Sequence, residues 1–182
     1  MAIRIEDFRM PRFREIPNMG LYLDQTIKYI NQYLEPLGCM EITSSMVSNY
    51  VKKGYIKSPV HKQYDAKQIA YLFFIAVAKN VLAMESIAKM FGLMEGVYTE
   101  EIAYDYFCSE LENVLSYIFG VQEDISYLGT TNSEEKDVLR SVIVAVANVI
   151  YVNDKLKARQ PEPPEEEPEE SPQKLLKKSQ KK

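Results

Sequence analysis

Apolar positions recur at helical spacing in six stretches of the chain, separated by glycine, proline and short polar runs. Leu23, Ile27, Ile30 and Leu34 fall at i, i+4, i+7 and i+11, one stripe of an amphipathic helix predicted over 20–36, with Asn18 as its cap and Pro36 and Gly38 as its stop. A shorter helix is predicted from Thr43 or Ser44, hydroxyl residues suited to capping, through Met46, Val47, Tyr50 and Val51 to Gly54. The segment Lys57 to Tyr64 carries Pro59 and is too short for a helix, so it reads as a turn or small hairpin. Asp65 and Gln68 are spaced as a capping box opening a third helix with Ile69, Leu72, Phe73 and Ala76 inward. A fourth helix is expected over 84–91, ending at Gly92.

Beyond Gly92, Thr99 caps a helix in which Ala103, Phe107, Leu111, Val114 and Ile118 recur until Gly120. Thr131 to Glu134 has the form of another capping box, for a helix over 133–155. Its stretch Val138–Val152 is valine-rich, yet it is longer than a strand and shorter than a membrane span. It reads as a buried helix, serving either as a dimerisation surface or as the centre of the second half. From Gln160 the text becomes PEPPEEEPEE and then SPQKLLKKSQKK, too poor in apolar residues to offset the entropy of ordering. The expected fold is all-α, with a small hairpin at most. The expected organisation is an N-terminal arm (1–19), a helix-turn-helix domain (20–95), an acidic helical domain (96–159) for dimerisation or sensing, and a disordered tail (160–182).

Composition narrows the chemistry. One histidine and two cysteines among 182 residues are too few for a multi-histidine or Cys/His metal site within one chain. Cys39 and Cys108 belong to no C-x-x-C pair and read as apolar thiols. A Gly-rich phosphate loop, a nucleophile elbow and a zincin motif are all missing, so catalysis is not expected and no cofactor is implied. Glu100-Glu101 and Glu134-Glu135 fall in predicted first turns, where carboxylates complement the helix dipole. The first nineteen residues mix arginines with acids and prolines rather than forming an apolar signal segment. The expectation is a cytoplasmic protein with no membrane association.

The net charge of -4 hides an uneven distribution. Between Glu41 and Gly92 seven lysines face three acids, whereas between Leu93 and Asp154 two basic residues face twelve. Five lysines and the histidine lie between positions 52 and 67, a local footprint of the kind phosphate contact requires. A helix opening with Thr43, Ser44 and Ser45 turns its positive end and hydroxyl donors outward, and Ser48, Asn49, Lys52 and Lys53 follow on or near its polar face. Asn49 has the amide that pairs with an adenine edge. Lys57, His61, Lys62 and Tyr64 complete the candidate set from the turn. The tyrosines also read as core, and the lysines as the solvated end of a helix.

The string ITSSMVSNYVKKGYIKSPVHKQYDAKQIAYLFFIAVAKNVLAMESIAKMF resembles the winged helix-turn-helix of the MerR family over roughly 42–91. Ser44 and Ser45 match its hydroxyl-started recognition helix, Tyr50 its aromatic, Gly54-Tyr55-Ile56 its Gly-Leu-Ile, Pro59 the wing proline and Tyr64 the closing tyrosine. Ser48 stands where that family usually has an arginine, and the wing is shorter and lacks its arginine. Met10-Pro11, Pro17, Leu21 to Gln25 and the segments just quoted also resemble the YkrK-like domain-of-unknown-function proteins of Gram-positive bacteria, over about 10–95. The resemblance to MerR implies a transcriptional regulator that binds double-stranded DNA as a homodimer. Tyr98, Tyr104, Tyr106, Phe107, Tyr117 and Phe119 are then either core or the lining of a small-molecule effector pocket. The alternative is a protein-interaction adaptor that keeps the fold without binding DNA.

Overall fold

The candidate residues are held by six helices and one small two-stranded sheet in a computed structural model that describes residues 5–38, 41–125 and 133–159. Thr131 and the tail from Gln160 lie outside the described residues. The first long helix, α1, spans Leu23–Leu34, followed by a 3-10 turn at Glu35–Leu37. It starts later than the pattern suggested. Leu21–Tyr22 form a strand, β1, and the Tyr22 amide donates to the Gln25 side chain at 3.0 Å, so Tyr22 rather than Asn18 caps the helix. A two-residue strand has no detectable alternation, which is why apolar periodicity assigned it to the helix.

α2 spans Ser44–Lys52 behind its Thr43 cap. It ends where Gly54 takes φ 77° and the Tyr55 amide reaches back to the Tyr50 carbonyl at 2.9 Å, the left-handed glycine stop anticipated there. Strand β2, Gln63–Tyr64, pairs antiparallel with β1, Leu21 opposite Tyr64. Gly20, at φ 81°, lets the chain enter this sheet, since a Cβ there would stand 3.0 Å from Gln63 Cβ. The expected turn or small hairpin is a tight turn in which the Gln63 amide bonds the Val60 carbonyl at 2.9 Å, with His61 and Lys62 both at positive φ. The mirror-image two-residue turn demands that geometry of both central residues.

α3, Ala66–Ala78, opens with the anticipated Asp65/Gln68 box. From Gln68 to Ala78 every residue but the half-buried Tyr71 is buried. This segment contains no charged side chain, and it packs against α1 and against the helices that follow. α4 runs Met84–Met94, past Gly92; the left-handed position falls instead at Gly96. α5 spans Glu100–Ile118 behind Thr99, and α6 spans Glu134–Lys157 behind Ser133. The helix expected to be buried all round is only half so. Leu139, Ile143, Val146, Ala147 and Ile150 face the core, while Ser141, Ala145, Asn148 and Val152 are exposed.

Buried residues from both expected halves belong to one hydrophobic core, so the boundary placed at 95/96 crosses continuous packing. The N-terminal segment also joins it: Ile5, Phe8, Met10 and Ile16 are buried. Its polar groups land on α5. The Arg12 guanidinium grips Glu112 at 2.7 and 2.6 Å, the Met10 amide donates to Glu112 at 2.7 Å, and the Phe13 amide donates to Asp105 at 2.7 Å. Arg14 pairs with Glu101 at 2.6 Å. Part of the negative charge of the second half is thereby matched by arginines from the start of the chain. Among the described residues no helix is long and apolar enough to cross a membrane.

Candidate nucleic-acid interface

At 100° per residue, Met46, Val47, Tyr50 and Val51 gather on one side of α2, and Ser44, Ser45, Ser48, Asn49, Lys52 and Lys53 cover the opposite half-turn. Val47 and Tyr50 are buried and all six polar residues are exposed. α2 is positioned from beneath. Asn31 of α1 donates to the Ile42 carbonyl and accepts from its amide, both at 2.9 Å, which sets the start of α2 against α1. At its far end the Tyr55 hydroxyl donates to Glu85 of α4 at 3.1 Å. The Glu85 carboxyl is held below its ordinary range by its own backbone amide first and the Tyr55 hydroxyl second.

The turn is tied to the same frame. Gln68, buried at the start of α3, donates to the Lys57 carbonyl at 2.7 Å. Left-handed backbone at His61 and Lys62 costs about 1–2 kcal/mol per residue, and both side chains are exposed, as is Lys57. The structure therefore brings Ser44, Ser45, Ser48, Asn49, Lys52 and Lys53 onto one face of α2, with Lys57, His61 and Lys62 exposed on the segment that follows.

Two of the candidates are otherwise engaged. Tyr64 is 4% exposed and packs in the core opposite Leu21; burial pushes its phenol above the ordinary range. The Thr43 hydroxyl accepts from the Met46 amide at 3.3 Å and shares a bond with Ser45 at 3.0 Å, so it serves the cap. The basic tally narrows as well. Lys79 sits beneath α2 with Nζ 3.3 Å from Met46 Sδ, its pKa lowered by burial, and Lys67 is bonded to Glu100. Among the described residues Lys52, Lys53, Lys57 and Lys62 form no ion pair, whereas Arg9, Arg12 and Arg14 all do.

Asn31 is a positioning residue that the sequence reading missed, and Gln68, read only as part of a capping box, also holds the Lys57 carbonyl. A mid-helix asparagine was the available signal, because such a side chain often has backbone to satisfy. The aromatic set divides. Tyr98, Tyr104 and Phe107 line a cleft among α3, α4 and α5, while Tyr106 lies under Lys136, Nζ 5.1 Å from its ring centre. Tyr117 is exposed, and Phe119 meets Tyr151 edge-on at 5.3 Å.

A family model described as a domain of unknown function (DUF1836) matches residues 11–108, more than half of the chain. Neither a curated protein nor a solved structure matches.

Proposed function

The chain belongs to this DUF1836 family, and on that premise we propose that it binds double-stranded DNA through the outward face of α2 as a transcriptional regulator with a MerR-like winged helix-turn-helix. The observation that carries the reading is the contrast in how basic groups are used. Arg12 and Arg14 of the arm are paired on acidic α5 and Arg9 with Glu15, while among the described residues the exposed Lys52, Lys53, Lys57 and Lys62 form no ion pair. Such lysines neutralise phosphates and release counterions, giving affinity that falls steeply with salt. Ser44 and Ser45 in the first turn add hydroxyl and amide donors at the positive end of the helix. Asn49 supplies the base-reading amide.

In this reading the protein acts as a homodimer, because one short helix covers a small footprint. The outward face of α6 is the surface assigned to it, with Val152 and Leu156 each about half exposed. A second reading has one specific observation in its favour. The wing is a two-residue turn offering only His61 and Lys62, and Ser48 leaves the middle of α2 uncharged, which suits an adaptor that keeps the fold without DNA.

Binding to mixed genomic fragments at two salt concentrations tests the proposal, for wild type and for Lys52→Glu/Lys53→Glu. The expected result is salt-sensitive binding whose log–log slope falls by about 2 in the double variant, one counterion per lysine. Wild type that shows no salt-sensitive binding, or a double variant that binds unchanged, sinks the DNA reading. Sequencing of retained fragments then identifies the site.

A further inference from the structure

The cleft among α3, α4 and α5 is partly open to solvent and has room for about 110 Å³. Tyr71, Phe74, Met90, Phe91, Met94 and Phe107 give it large apolar and aromatic walls. The rings brace one another: Phe91 lies 4.6 Å from Tyr71 and 5.6 Å from Phe74, and Phe74 meets Phe107 edge-on at 5.1 Å. Close-packed interiors hold few voids larger than a water molecule. An apolar cavity of comparable size, roughly 150 Å³ in the known case, is large enough to accept benzene. Drug-sized sites run to about 300–1,000 Å³, so this one suits a single ring or a small fused pair.

Polar groups join the lining as well. Lys67 is bonded to Glu100 and its ammonium lies 5.9 Å from the centre of the Tyr71 ring. Glu95 and Tyr98 stand beside them, the Tyr98 hydroxyl bonded to Ser133 at 2.9 Å. Tyr104 also lines the cleft, with its hydroxyl buried beside the Cys108 thiol. An anionic ligand would meet Glu95 and Glu100, and an ion of either sign would surrender its hydration to enter an aromatic wall beside a Lys67–Glu100 pair that already satisfies itself. A neutral ring with one donor or acceptor meets neither obstacle.

We propose that this cleft is a binding site for a small neutral aromatic molecule, of the phenol or indole class, whose ring packs among Phe74, Phe91 and Phe107 and whose polar group faces the Lys67–Glu100 pair. The site stands whether or not α2 meets DNA. Its test is a titration of the full chain with phenol, indole, benzoate and benzylamine, followed by the NMR signals of the Met90 and Met94 methyl groups. Phenol and indole are expected to shift both methyls saturably, with benzoate and benzylamine at least tenfold weaker. Ala103→Phe, which fills the cleft from α5, is expected to abolish the phenol response in a protein whose circular dichroism is unchanged. Should that variant fail to fold, the wild-type titration decides alone. Unmoved methyls at millimolar phenol and indole, equal response to all four probes, or undiminished binding by folded Ala103→Phe would overturn the proposal.

Discussion

Glu112→Ala is the most informative single perturbation of the frame that carries α2. Glu112 receives the Arg12 guanidinium at 2.7 and 2.6 Å and the Met10 amide at 2.7 Å. Arg12 Nη1 also donates to the Met10 carbonyl at 3.0 Å. The carboxylate and guanidinium are 20% and 25% exposed, so water screens the pair only in part. Charge-assisted bonds contribute about 1.5–3 kcal/mol each when well buried, and exposed pairs under about 1 kcal/mol. Three such bonds at intermediate burial, less the screening, give about 3 kcal/mol for the loss of Glu112, including the cost of leaving the Met10 amide unpaired. At about 2–4 °C per kcal/mol for a chain of this size, Tm falls by ~6–12 °C. Urea unfolding of wild type, Arg12→Ala, Glu112→Ala and the double variant isolates the pair, with an expected coupling of about 1–2 kcal/mol. A Glu112→Ala cost below about 1 kcal/mol, or a coupling of zero, would refute the docking of the arm on α5.

Asn31→Ala removes both bonds to Ile42, a residue only 1% exposed. An expected loss of about 2–3 kcal/mol follows from two unsatisfied buried groups, read by urea unfolding. Asn31→Asp keeps the acceptor for the Ile42 amide and should lose less; equal losses would contradict the geometry. Cys108 is buried against Pro11, and burial pushes its thiol up to about 12 from 9.0. Since the unfolded chain gives up that proton first, the stability tied to it is intact below about pH 9 and declines as pH rises toward 12. In a Cys39→Ser background a disulfide reagent at pH 8 should leave the folded protein unlabelled and react once denaturant is added. Rapid labelling of folded protein would exclude a buried Cys108.

Periodicity and capping chemistry alone located all six helices, because a 3.6-residue apolar stripe and a hydroxyl or carboxylate cap are local signals. Thr43, Asp65 and Thr99 cap as read, and Gly54 and Gly120 terminate. The polar face of α2 was legible for the same reason. Its exposed lysines and Asn49 follow from spacing within one short segment. What lay beyond reach was pairing at a distance. Two-residue strands such as Leu21–Tyr22 have no period, and the Arg12–Glu112 clasp joins positions about a hundred residues apart. Gly92 looked like a stop, yet α4 continues to Met94, since packing of Phe91 on Tyr71 and Phe74 extends a helix that local propensity would end. Which segments are helices and which of their faces are polar can be read from the residues alone, because those properties depend on neighbours within a few positions. It took the packed chain to show that α3 rather than α6 is the buried centre, that Arg9, Arg12 and Arg14 are paired while Lys52 and Lys53 form no ion pair among the described residues, and that Tyr64 belongs to the core. Each of those depends on which distant surface happens to cover a residue, and burial and ion pairing are properties of the assembled packing.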